Sequence, residues 1–155
     1  MDSIRVRWSG RRQLVGWDSR GHGVVMDTAP EYKGEATGPR PIELVLYALG
    51  GCTAMDVVSI LEKQRLDVRG VEIDVRGVQR EDEHPHYYES VDVHYTIVGV
   101  DVPEAAVARA IELSETKYCS VKGMFGPQVR VTTSFTVALP AAPGPLAAET
   151  KATLS

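Results

Sequence analysis

Apolar and polar positions alternate at the start of the chain, where Ile4, Val6 and Trp8 enclose Arg5 and Arg7. Period two is the signature of a strand with one apolar face. Leu14-Val15-Gly16-Trp17 and Gly23-Val24-Val25-Met26 follow on either side of the turn-forming run Asp18-Ser19-Arg20-Gly21, so a three-stranded meander is predicted. Residues 28–41, with three prolines and two glycines, read as a loop. Pro41 then suits the first position of a helix running to about Leu66, where Glu62, Lys63, Gln64 and Arg65 make a polar exit.

Strand periodicity returns twice. Val71, Ile73 and Val75 share one face, and Val91, Val93, Tyr95 and Ile97 share another, with the charged run Arg80 to Pro85 between them. A long hairpin is expected. Pro103 opens a second helix in which Val107, Ala110, Ile111 and Ser114 keep helical spacing, and the chain leaves it near Tyr118-Cys119. Val129, Val131, Thr133, Phe135 and Val137 alternate as a last strand.

The resulting order, βββ-α-ββ-α-β, predicts an α+β fold with helices packed on a largely antiparallel sheet. Residues 1–139 form the domain, and residues 140–155 an Ala/Pro-rich tail expected to be frayed or extended. The helix at 42–66 is apolar around nearly its whole circumference between Leu44 and Met55, more than one sheet face can cover. An intimate homodimer enclosing this helix is therefore expected.

Composition narrows the class. Of 155 residues, 43% are hydrophobic and 25% charged, as in ordinary globular proteins, and a formal charge of −4 offers nothing to a nucleic acid or an anionic lipid surface. Glu43 and Asp56 confine the uncharged part of the long helix to twelve residues, short for a bilayer span. Met1 to Arg5 has no apolar signal core, so a cytoplasmic chain is expected.

Two cysteines are too few for a disulfide scaffold. Cys52 follows Gly50-Gly51, and two glycines inside a helix cost about 1 kcal/mol each. If they interrupt the helix, Cys52 lies in the first turn of its second half, where free N–H groups favour a thiolate. They also allow close approach of a substrate or a partner backbone. A thiol of ordinary pKa is only about 3% ionised at pH 7, and Asp56 one turn on opposes ionisation, so a cation is needed nearby. Arg20, Arg40 and Lys122 are the candidates. Cys119 sits at a helix exit, whose dipole disfavours a thiolate, as suits a resolving thiol. On the residues alone, structural cysteines are the more ordinary explanation. His84, His86 and His94, near Glu81, Asp82 and Glu83, lack tight metal-ligand spacing and read as a solvated hairpin tip. Glu43, at a helix start, is either a dipole-compensating carboxylate or a catalytic one.

The segment from Pro41 to Val58, through Gly50-Gly51-Cys52-Thr53-Ala54-Met55-Asp56, resembles the central-helix motif of the OsmC/Ohr superfamily, particularly its YhfA-like branch. The resemblance extends to Gly21-His22-Gly23-Val24-Val25-Met26-Asp27 and to Leu113-Ser114-Glu115-Thr116-Lys117-Tyr118-Cys119-Ser120-Val121, covering most of residues 4–137 in order. It implies an intertwined homodimer with Cys52 as peroxidatic and Cys119 as resolving cysteine, reducing organic hydroperoxides in oxidative stress defence. It implies no metal or flavin, and an external dithiol or lipoylated protein as reductant. Members of the family carry a glutamate directly after the motif's proline, whereas here Ile42 holds that place and Glu43 follows. A dimeric module binding a small lipophilic or thiol-reactive ligand, and a redox sensor, are the alternatives.

Overall fold

A computed structural model describes residues 2–141 of the chain, so all but the first two residues of the predicted tail lie outside the described region. The meander is present as β1 (Ile4–Gly10), β2 (Gln13–Asp18) and β3 (Gly23–Met26), paired antiparallel in that order. The long helix is α1 (Glu43–Lys63), and the hairpin is β4 (Asp67–Gln79) with β5 (Tyr88–Val100). Next come α2 (Glu104–Leu113), a π-helical turn at Ser114–Tyr118, the single turn α3 (Ser120–Gly123) and β6 (Arg130–Ala138). The α+β class and the element order are those expected from the pattern.

Two features depart from expectation. The strands form two separate three-stranded sheets, β1-β2-β3 and β4-β5-β6, rather than one. β6 also runs parallel to β5, because α2 carries the chain back across the sheet before the last strand begins.

The second sheet holds the core. Register places Ile73 opposite Tyr95, Val75 opposite Val93, and Tyr95 beside Phe135, so one face is largely apolar. Val91, Tyr95 and Ile97 are buried there under α1 and α2, with Val57, Leu61 and Val107. The other face carries Asp74, Arg76, Asp92, His94, Thr132 and Ser134. Alternation thus assigns one face to the helices and the other to water.

α1 lies close to β4 because Gly50 lets it: a Cβ there would stand 3.1 Å from Val75 Cγ2. The helix is continuous through both glycines, so Cys52 lies in its interior rather than in the first turn of a second half. Gly50 serves packing, and Gly51 faces open space.

Much apolar surface stays uncovered within one chain. Tyr47 and Met55 on α1 are 69% and 71% exposed, and Ile4 and Trp8 on β1 are 73% and 68% exposed. Ile4, Val6, Trp17, Val24, Met26 and Leu44 line an apolar groove of about 400 Å³ between the first sheet and the start of α1.

The loop leading into α1 is tied by one carboxylate. Asp27 accepts hydrogen bonds from the backbone N–H groups of Thr28, Glu35 and Thr37 and from the Thr37 hydroxyl. The Thr37 hydroxyl foremost lowers its pKa to about 2, against burial, which raises it. A depressed carboxylate stabilises the fold in full above its unfolded pKa of about 4, and that contribution is lost as pH falls through the folded value. Melting temperature is accordingly expected to drop between about pH 4 and pH 2. Thermal scans of Asp27→Asn should show a shallower slope in this window, and an unchanged slope would assign the acid sensitivity elsewhere.

Candidate functional site

The fold brings Cys52 and Cys119 together although 67 positions separate them in the chain. Cys52 lies on α1, one helical turn before Asp56, so the two side chains share a face. Cys119 comes from the joint between the π-helical turn and α3, where its backbone is extended (φ −69°, ψ 99°). Donor atoms of Cys52, Asp56 and Cys119 all lie within 4.8 Å of one another.

The sulfurs are not equivalent. Cys52 is half-buried, and Cys119 is 6% exposed. Burial foremost pushes the Cys119 thiol up to about 11, with the neighbouring Cys52 adding to the shift, while the Lys122 N–H, 3.4 Å from Cys119 Sγ, works against it. Cys119 is therefore held protonated at neutral pH. The expectation of a poor thiolate holds, but its main cause is burial rather than a helix exit, since Cys119 in fact caps the start of α3.

Beneath Asp56 runs a chain of hydroxyls. Ser114 Oγ donates to Asp56 Oδ2 at 2.8 Å, Thr53 Oγ1 lies 2.9 Å from Ser114 Oγ, and Tyr95 OH lies 2.6 Å from Thr53 Oγ1. Each hydroxyl has one proton. With the Ser114 proton committed to a carboxylate, Thr53 must donate to Ser114 and Tyr95 to Thr53. Burial pushes the Tyr95 phenol up to about 12, which keeps it a donor. The row thus points one way, toward Asp56, and fixes the carboxylate beside the sulfurs.

These three hydroxyl residues were not singled out from the sequence, yet a signal was present. Thr53 interrupts the buried stripe Leu49, Thr53, Val57 of α1; Ser114 closes the apolar stripe of α2; Tyr95 lies on the inner face of β5. A polar group on an apolar stripe needs a buried partner, and here each supplies another's. Glu115 belongs to the same region, with Oε1 buried and unpartnered among the described residues. It lines a void of about 10 Å³ with Cys119, Lys122, Tyr95 and Thr53. That void is the size of one water molecule and admits nothing larger.

Of the three candidate cations, Lys122 adjoins Cys119, whereas Arg20 pairs with Asp18 and Arg40 with Glu43. Glu43 accepts from the Arg40 backbone N–H and from its guanidinium, and the Arg40 N–H foremost lowers the Glu43 pKa. Cys52 lies nine positions along the helix from Glu43, an axial rise of about 13.5 Å. Within one chain Glu43 therefore does not meet the sulfurs. The histidines are scattered as expected: His84 and His86 meet edge to face at the hairpin tip, and His94 bonds Ser134 on the polar sheet face. Roomier grooves lie on that polar face, about 450 Å³, and near Ser3 and Arg5, about 500 Å³, but neither is lined by a cysteine.

The family model described as OsmC-like protein matches residues 34–134, which include both cysteines. The chain belongs to the OsmC-like family. It is 41% identical to protein YhfA of Escherichia coli over 133 residues, 86% of this chain and 96% of that protein. Among solved structures, a hypothetical protein from Aquifex aeolicus is 31% identical, with a TM-score of 0.78 over 90% of this chain and 98% of that one. An organic hydroperoxide resistance protein OsmC from Legionella pneumophila, 18% identical, shares the fold at a TM-score of 0.66 over 88% and 97% of the two chains. The OsmC-like fold and family expected from the cysteine motifs are both present.

Proposed function

We propose that the protein is a thiol-dependent peroxidase for organic hydroperoxides. Membership of the OsmC-like family supports a redox or peroxide-stress role, and one observation carries the finer reading: two sulfurs within 4.8 Å, one accessible and one buried and protonated. Cys52, as thiolate, attacks the terminal oxygen of the hydroperoxide; the O–O bond breaks, the alkoxide takes a proton from solvent and leaves as the alcohol, and Cys52 becomes a sulfenic acid. The Cys119 sulfur then attacks Cys52, the O–H group departs as water with the Cys119 proton, and a disulfide forms. An external dithiol returns both thiols.

Closing the disulfide requires the sulfurs to approach to about 2.05 Å. The joint at Cys119 is suited to that movement, because π-helical turns concentrate at functional sites and the residue lies between two short helical pieces.

The uncovered faces of α1 and of the first sheet belong, in this proposal, to a homodimer. A second copy would seal the open side of α1 in apolar surface and so favour organic over inorganic peroxide. Glu43 takes part in the chemistry only if that copy brings it to a sulfur.

The test is consumption of cumene hydroperoxide with dihydrolipoate as reductant, together with mass spectrometry of the oxidised chain. Repeated turnover and a Cys52–Cys119 disulfide are expected, and their absence would remove the proposal. A redox sensor is the second reading, since the paired sulfurs can close a single disulfide whether or not a reductant reopens it. Formation of one disulfide per chain without further turnover would select the sensor.

A further inference from the structure

We propose that the reduced site binds one Zn²⁺ ion through Cys52, Cys119 and Asp56, and that this occupancy masks the nucleophile. The inference rests on the arrangement of donors and not on peroxidase activity. Tetrahedral zinc with bonds of about 2.3 Å to sulfur and about 2.1 Å to oxygen holds its ligand atoms about 3.5–3.8 Å apart. The three donors already lie within 4.8 Å, so an inward shift of about 1 Å completes the set.

The surroundings of Asp56 give the second reason. Ligating carboxylates are themselves held by hydrogen bonds, and the directed row Tyr95, Thr53, Ser114 ends on Asp56 Oδ2. Among the described residues, no lysine or arginine makes a salt bridge to Asp56, although its carboxylate lies within 4.8 Å of both sulfurs. A dication supplies the missing charge. Two sulfurs and one carboxylate suit a borderline-soft metal such as zinc better than calcium or magnesium, which take oxygen.

Three protein ligands leave a fourth position for water, as in open zinc sites. Binding releases the two thiol protons, and no electron is transferred: Zn²⁺ with two S–H groups and a carboxylate gives a bis-thiolate complex and two H⁺. Neither thiolate can then attack a peroxide until the metal leaves.

The experiment is a competition titration of the full chain, reduced with a phosphine, using Zn²⁺ against a chromophoric chelator. One equivalent per chain with submicromolar affinity is expected. Asp56→Asn should weaken binding at least tenfold, and Cys52→Ser or Cys119→Ser at least a hundredfold. Ser114→Ala, which removes the hydrogen bond that holds Asp56, should weaken it about 10- to 100-fold. Co²⁺ in place of zinc should give sulfur-to-cobalt charge-transfer absorption that diminishes with each cysteine removed. Wild-type protein with both thiols alkylated provides a control that needs no substitution, and it should not bind. Failure to saturate at one equivalent, binding by alkylated protein, or cobalt absorption without a thiolate band would each overturn the site. Zinc binding without any peroxide turnover would leave the metal site standing and remove only the peroxidase.

Discussion

Cys52→Ser is expected to lower organic hydroperoxide consumption by more than about a thousandfold, to the level of the buffer and reductant alone. A serine hydroxyl is not ionised near neutral pH and cannot form a sulfenic acid, and loss of a nucleophile typically removes several orders of magnitude in turnover. Cys119→Ser should behave differently. Cys119 is buried and protonated, so it does not compete for the peroxide, and the variant should consume one equivalent per chain at nearly the wild-type rate. Later cycles should slow, because the Cys52 sulfenic acid then waits for an external thiol. Stopped-flow consumption of cumene hydroperoxide, with mass spectrometry for the added oxygen on Cys52, separates the two variants. A Cys52→Ser protein that keeps turning over, or two variants that lose the first equivalent alike, would reject the assigned roles.

Met55→Glu is expected to break the proposed homodimer. Met55 is 71% exposed in one chain, and a substitution at so open a position ordinarily changes stability by no more than about 0.5 kcal/mol. If a second copy covers α1, the same substitution buries an unpaired carboxylate in an apolar interface, at a cost of about 3 kcal/mol or more. That raises the dimer dissociation constant by at least about a hundredfold. Light scattering coupled to size exclusion reads the loss directly. Melting temperature should fall as well and become less dependent on concentration, since dimerisation no longer stabilises the fold. A variant with wild-type mass and melting point would show that α1 presents this face to water.

Part of the site could be read from individual residues. Gly50-Gly51-Cys52 stood out because glycines in an apolar helix need a reason, and Cys119 because it followed a helix exit in a matching motif. The reason for Gly50 proved to be its contact with Val75, which no local pattern could show, since it depends on how closely α1 lies on β4. The row Tyr95, Thr53, Ser114 was legible only in outline, as polar residues on three apolar stripes. Which hydroxyl met which depended on the depth at which α1 and α2 cross β5.

The sequence by itself determined the elements, their order and the faces they turn to the core. Those properties follow from periods of 2 and 3.6 residues and from turn chemistry, all of which act over a few neighbours. Only the tertiary structure decided that the strands divide into two sheets, that β6 runs parallel to β5, and that Cys52, Asp56 and Cys119 share one small space. It also placed Glu43 at the far end of α1, bonded to Arg40. Each of these depends on contacts between residues distant in the chain, where packing and charge, rather than local periodicity, select the arrangement.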